Sequence, residues 1–282
     1  MTYLVPALLI LLALALANSI DLPDGPTIQE IQLSSGISLH VSGQEGNEAL
    51  YQQYGRSQKG EDMRSLLHYF WGVRGGTVVE SGALDGLRYS NSVIFSQLLQ
   101  WRAVLIEASP DQFKKLVVNR PEAISVNSAL CPNSRKVHWM NTHPPATRGV
   151  FEFMDNDSGP KARTLRKLKK IYGQKPNDGY SDSILDKELQ IVPCANITSI
   201  MTSLNIYKID IWFLDIEGAE MQALTGWDPS VVKVDVLVIE KNKQSDVTTH
   251  MQSIGYSCID DEKVDKYNYW CSSPTFKAHA QT

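Results

Sequence analysis

Basic residues are missing from the first fifth of this chain. No Lys or Arg precedes Arg56, although 27 occur among the 282 residues. The positive flank that usually orients a membrane segment is therefore absent, and orientation is not readable from charge. Several enzyme signatures are missing too. There is no Gly-Lys-Ser/Thr phosphate loop and no Gly-x-Gly-x-x-Gly turn, which excludes the usual triphosphate and dinucleotide cradles. No Gly-x-Ser-x-Gly elbow exists, so a serine-nucleophile triad has no support. The six histidines show no metal spacing, and none of the four cysteines lies in a Cys-x-x-Cys pair, so no metal site is expected. A net charge of −4 and a pI near 5.9 argue against nucleic acid as a general partner. No internal repeat is present.

The chain has enough apolar material for one sizeable core, at 43% hydrophobic and 21% charged residues. Leu4 to Ala17 is almost wholly apolar, and Ala15-Leu16-Ala17 before Asn18 fits a small-residue cleavage site. The stretch is shorter than the ~20 residues a spanning helix needs. Residues 1–17 are therefore expected to be a signal peptide, with a single-pass anchor over 4–20 as the alternative. Residues 18–58, polar and without periodicity, read as a leader or stalk. The folded domain is expected over 59–275, followed by a tail at 276–282.

Thr77-Val78-Val79-Glu80-Ser81-Gly82-Ala83-Leu84-Asp85-Gly86 carries most information. A β-branched run ends on an acid and opens into a turn with two glycines. Glycine tolerates positive φ and removes the side chain, so backbone N–H groups can approach a ligand closely. About twenty residues on, Ala103-Val104-Leu105-Ile106-Glu107 is a second apolar strand ending in an acid, after a helical pattern at Val93, Ile94, Leu98 and Leu99. A strand, turn, helix and strand ending in a carboxylate is how α/β cofactor sites hold a ribose, which assigns that role to Glu107. Ile209–Leu214 stops at Asp215-Ile216-Glu217, and Val234–Ile239 at Glu240. Continuous apolar strands suit a doubly wound, mostly parallel sheet of the Rossmann-like type, covered on both faces. Ligands collect at the carboxyl ends of such strands, so Glu80, Glu107, Asp215 and Glu240 should face one crevice.

The spacing Glu80-x-Gly82 resembles the first motif of methyltransferases that use S-adenosylmethionine, a ligand that has no pyrophosphate and needs no phosphate cradle. Three blocks extend the likeness: Val-Glu-Ser-Gly-Ala-Leu-Asp-Gly (79–86), Val-Leu-Ile-Glu-Ala-Ser-Pro (104–110) and Ile-Asp-Ile-Trp-Phe-Leu-Asp-Ile-Glu-Gly-Ala-Glu (209–220). Together they resemble the FkbM-type methyltransferase domain over roughly residues 60–260. Ser81 stands where family members often have Ile. Ser90-Asn91-Ser92 and Leu98-x-x-Trp101-Arg102 look most like the animal branch that includes the protein Star, whose members enter the secretory pathway and are implicated in cargo trafficking.

The resemblance implies an S-adenosylmethionine-dependent methyltransferase acting on oxygen, with a carbohydrate hydroxyl among the acceptors it suggests. Glu80, Gly82 and Gly86 would hold the methionine portion, Glu107 the ribose, and Asn127 and Ser128 would lie near the adenine. Asp215 and Glu217 would sit near the methyl group or acceptor, with Glu240 as a second base or a structural acid. The alternative it implies is a Star-like, non-catalytic factor in vesicle-mediated trafficking of membrane cargo between endoplasmic reticulum, Golgi and endosomes.

The remaining signals concern compartment. Cys258 and Cys271 flank a charged turn between two β-rich runs, which makes a C-terminal antiparallel hairpin bridged by a disulfide; by elimination Cys131 pairs with Cys194. Disulfides and the apolar leader agree on a secretory location. Asn156-Asp157-Ser158 and Asn196-Ile197-Thr198 are sequons expected to be glycosylated. Residues 161–175 hold seven basic residues and no acid, within a segment (159–180) expected to be a solvated loop. That loop, like the N-terminal segment, could contact acidic lipid headgroups.

Overall fold

The computed structural model describes residues 51–141, 144–154, 159–173, 179–242 and 246–279, together with a two-residue ladder pairing Ile31–Gln32 with Ser38–Leu39. The leader at 1–17, the sequon at Asn156 and the last three residues lie outside the described residues.

The apolar runs form the strands expected of them. Thr77–Ser81 (β1), Arg102–Ile106 (β2) and Ile124–Val126 (β3) lie side by side and parallel. Four short strands follow: Ala129–Leu130 (β4), Arg135–Met140 (β5), Gly149–Val150 (β6) and Gln190–Ala195 (β7). Lys208–Leu214 (β8) and Lys233–Glu240 (β9) return to the large sheet, and Ser257–Ile259 (β10) and Asn268–Ser272 (β11) close it. The seven-stranded order is β10-β11-β9-β8-β1-β2-β3. Only β11 runs antiparallel, to both β9 and β10. Strand order reverses on either side of β1, which makes the β1/β8 boundary the switch point where an open α/β sheet binds ligands.

Alternation along the strands feeds two cores. Val78, Leu105, Phe213 and Val238 face one side, against Met63 and Leu66 of helix α1 (Glu61–Tyr69) and Phe95 of α2 (Val93–Gln97). Val79, Val104, Trp212, Leu214 and Ile239 face the other, against α6 (Ile197–Ser203), α7 (Glu220–Thr225) and α8 (Val247–Ser253). Helices α3 (Pro110–Asn119), α4 (Gly159–Tyr172) and α5 (Asp182–Glu188) lie between β2 and β7.

The cysteines pair as expected. Cys258 and Cys271 sit directly opposite one another in the β10/β11 ladder and are bridged. Cys131 is joined to Cys194, but the bridge belongs to a second, four-stranded sheet of order β4-β7-β5-β6 rather than to the main parallel sheet.

Three expected boundaries move. Residues 51–58 are not stalk: Tyr51 and Tyr54 pack on the first core, and Asp62 accepts the backbone N–H groups of Arg56 (2.8 Å) and Ser57 (3.1 Å). Residues 276–279 are not tail, because the Phe276 ring packs tilted against Phe70 with centroids 5.4 Å apart and the His279 N–H reaches the Tyr69 carbonyl at 3.1 Å. The expected basic loop at 159–180 begins with the helix α4, whose Leu168 is fully buried with Met140, Phe151, Tyr180 and Leu185. Ala162, Leu165 and Leu168, three residues apart, are the apolar face that winds it.

Candidate active site

A cavity of about 1030 Å³, counting its open mouth, lies outside the carboxyl ends of β1, β2, β8 and β9. The sheet order delivers Glu80, Glu107, Asp215, Glu217 and Glu240 to its wall, with Gly82 and Ser128. Gly86 and Asn127 are not part of that wall. Residues given no role by the sequence join it: Gln58 and Glu61 from the N-terminal segment, Tyr89 and Asn91 after the glycine turn, and Trp139, Arg148 and Val150 of the second sheet and the segment leading into it.

The glycine turn is shaped by the chain itself. Gly82 has φ +88, and a Cβ there would lie 1.9 Å from the Asp215 carbonyl oxygen. The absent side chain thus lets the end of β8 cross the end of β1. Gly86 (φ +81) is pressed against Arg120, whose Cγ would meet a Cβ at 2.7 Å. Both glycines have the expected conformation, and the close approach each permits is to protein.

Glu80 is almost fully buried (3% exposed) and spends its oxygens within the fold. It accepts the hydroxyls of Ser90 (2.8 Å) and Ser92 (2.6 Å) and the Asn91 N–H (2.7 Å). Fully buried Arg120 stands behind these serines, donating to the Gly86 carbonyl at 3.0 Å, Ser92 Oγ at 3.2 Å and Ser96 Oγ at 2.8 Å. Burial raises the Glu80 pKa, opposed by these hydrogen bonds and by the Arg120 charge. Glu80 thereby ties the end of β1 to the segment leading into α2, which Arg120 holds from behind.

Glu107, next along the sheet, takes one backbone N–H on each oxygen, from Leu84 (2.8 Å) and Ser109 (2.7 Å). Each carboxylate oxygen has a second lone pair, so the capacity to accept a hydroxyl remains. Burial pushes its pKa up to about 7 against those two N–H donors. Asn127 donates to the Glu107 carbonyl at 2.7 Å, so it shapes this corner from behind the wall. Ser128 faces the cavity, its hydroxyl donating to the Ala129 carbonyl at 2.7 Å.

At the ends of β8 and β9 the carboxylates face one another. Oxygens of Asp215, Glu217 and Glu240 lie within 4.8 Å of each other, close enough to share a proton or hold a cation. Asp215 opens onto the cavity while lying deep among protein atoms; burial raises its pKa, and Glu240 donates a hydrogen bond to it. Glu240 is raised by burial and by the charges of Asp215, Glu217 and Glu220. Burial, then the charges of Asp215 and Glu220, push Glu217 up to about 8. Its backbone is left-handed (φ 56), uncommon for a residue with a side chain. Glu220 holds this loop from below: its carboxylate accepts the N–H groups of Ile216 (3.0 Å) and Gly218 (3.2 Å) and the Asn242 amide. The Asp-x-Glu-Gly-Ala-Glu motif therefore encodes two lining acids and their clamp.

A mostly parallel sheet with an acid-lined crevice at its switch point is the Rossmann-like arrangement, in which small ligands bind at the carboxyl ends of the strands. The chain belongs to the FkbM methyltransferase domain family, whose model matches residues 80–258. It is an S-adenosylmethionine-dependent methyltransferase domain by that membership. No curated protein matches the chain significantly. Among solved structures it is similar to TrmK of M. capricolum in complex with S-adenosylhomocysteine, at 10% identity over 73% of this chain and 66% of that one, with a TM-score of 0.33. It is also similar to the hMettl16 catalytic domain in complex with the MAT2A 3'UTR hairpin 6, at 10% identity over 90% of both chains, with a TM-score of 0.30. Likenesses this slight carry no substrate across.

The residues present fit the cofactor. Six carboxylates and a single arginine line the cavity, a balance suited to a ligand bearing a sulfonium and an ammonium. Two buried polar atoms of the wall, Asn91 Oδ1 and Trp139 Nε1, lack a hydrogen-bond partner among the described residues. One is an acceptor and the other a donor, and buried polar groups are seldom left unpaired. Two lone pairs on Glu107 remain for ribose hydroxyls. Asp215, Glu217 and Glu240 stand at the ends of β8 and β9, across β1 from Glu107.

Proposed function

We propose that this domain transfers a methyl group to a hydroxyl acceptor, with a carbohydrate the best-fitting class, inside the secretory pathway. Bound S-adenosylmethionine supplies an electrophilic methyl group; the chain supplies position and a proton acceptor. Glu107 holds the ribose side, and Glu80 and Arg120 keep the turn after β1 in place. Asp215 accepts the hydroxyl proton of the acceptor. Glu240, protonated and hydrogen-bonded to Asp215, fixes the orientation of that carboxylate. The observation that carries this reading is the convergence of Asp215, Glu217 and Glu240 on one cavity, their oxygens within 4.8 Å of one another. Crowding acids this way destabilises the empty fold, and a cofactor-binding, proton-accepting site accounts for it. A cargo-binding factor that kept the fold without the chemistry would leave that cost unexplained.

The disulfides Cys131–Cys194 and Cys258–Cys271 support an oxidising compartment. No helix among the described residues is long and apolar enough to cross a membrane. Asn196 caps α6, its Oδ1 accepting the Ser199 N–H at 2.7 Å, so a glycan there must leave from the amide nitrogen alone. Radiolabelled methyl transfer from S-adenosylmethionine to secretory-pathway glycans tests the proposal. Labelled product that disappears in Asp215→Asn supports it; label transferred equally by both proteins, or by neither, refutes it.

A further inference from the structure

The pocket leaves one conspicuous element unused. Helix α4 carries six basic residues and no acid over Gly159–Tyr172, in a chain whose net charge is −4. Arg163, Arg166, Lys167 and Lys170 follow the spacing i, i+3, i+4, i+7, which puts them on one helix face, and all four are exposed. The opposite face is anchored: Ala162 and Leu168 are buried, and Leu165 and Leu168 pack in one cluster with Phe151 and Leu185. The cationic stripe therefore points outward from a fixed support. Lys167 meets Glu188 at 3.1 Å while remaining 63% exposed, and no acid among the described residues pairs with Arg163, Arg166 or Lys170. Beside the stripe, at the end of the helix, Ile171 is 52% exposed.

We propose that this face of α4 docks on an anionic bilayer surface. Charge alone would suit any polyanion. An exposed branched apolar side chain flanking a row of long basic ones is what a bilayer interface accepts, with the cations reaching headgroup phosphates while the apolar group enters the acyl boundary. Such docking would hold the neighbouring second sheet, which contributes Trp139 and Val150 to the pocket, close to membrane-bound acceptors.

The test is co-sedimentation of the secreted mature chain with phosphatidylcholine vesicles, with and without phosphatidylserine. Binding is expected only with phosphatidylserine, and should weaken as salt rises. Each near-surface cation contributes on the order of fivefold in partitioning, so Arg163→Gln/Arg166→Gln/Lys170→Gln together should lose on the order of 100-fold. Ile171→Ser should cost the same few-fold at high and at low salt, because the apolar contribution is not screened. Melting temperatures of both variants should match wild type, since the changed side chains are outside the core. No binding by wild type, or equal binding by the triple variant, overturns the proposal. Loss in the triple variant with an unchanged Ile171→Ser, alongside equally tight binding to soluble heparin, assigns the face to a soluble polyanion instead and overturns it too.

Discussion

The two ends of the crevice treat their carboxylates in opposite ways. On the β1/β2 side, protein donors hold both carboxylates: three converge on Glu80, which buried Arg120 backs, and one backbone N–H reaches each oxygen of Glu107, which keeps a lone pair on each. On the β8/β9 side, Asp215, Glu217 and Glu240 have mainly each other. The same residue type at the same kind of strand end is thus held by protein donors in one half and crowded against its own kind in the other. Neighbouring donors, rather than position alone, decide which.

The comparison breaks most sharply in turnover. Asp215→Asn should lower methyl transfer by ~10²–10⁴-fold, the range for a positioned acid–base group, while S-adenosylhomocysteine affinity stays within a few-fold by calorimetry. Removing a charge from the scaffold half should instead cost stability. Arg120→Met strands Glu80 in the core, and chemical denaturation should record a loss of about 3–5 kcal/mol. Gly82→Val belongs with it: a side chain at φ +88 against the Asp215 carbonyl should destabilise by about 2–5 kcal/mol, so weakened cofactor binding would follow from misfolding rather than from blocking the ligand.

The β8/β9 half should respond with the opposite sign. Folding raises the Glu217 pKa from 4.5 to about 8, so the folded state holds that proton more tightly than the unfolded chain. The associated stability is fully present below about pH 4.5 and is lost as pH rises toward 8. Wild-type melting temperature should therefore fall across this window, and Glu217→Gln should flatten the fall and be the more stable protein at pH 8. A variant less stable at both ends of the window would place Glu217 in the scaffold. The smallest expected effect is at the wall: Trp139→Phe, which removes one neutral donor and keeps the ring, should weaken S-adenosylhomocysteine binding by roughly fivefold.

Much of the scaffold is legible from residue order. Val78-Val79, Val104-Leu105-Ile106 and Ile211–Leu214 declare buried parallel strands because nothing polar interrupts them, and the acids that end them mark the crevice. Cys258 and Cys271 are readable as a pair because a short charged turn separates two β-rich runs. The second sheet is not readable: its strands run from two to six residues, and Trp139 reaches the pocket only because β7 bridges β4 and β5. Nor does sequence separate Glu80 from Asp215, since the difference lies in Ser90, Ser92 and Arg120 folding back from ten to forty residues away. The basic run conceals a helix whose Ala162, Leu165 and Leu168 spacing was available to find it. Its charges dominate the composition, while the apolar face that winds it is only three residues wide.

Calorimetric titration of the purified, disulfide-intact protein with S-adenosylmethionine and S-adenosylhomocysteine tests the central claim most directly. Saturable one-to-one binding of both, weakened by ~1–3 kcal/mol in Glu107→Ala, is the predicted result. A folded, disulfide-intact protein that binds neither would contradict it.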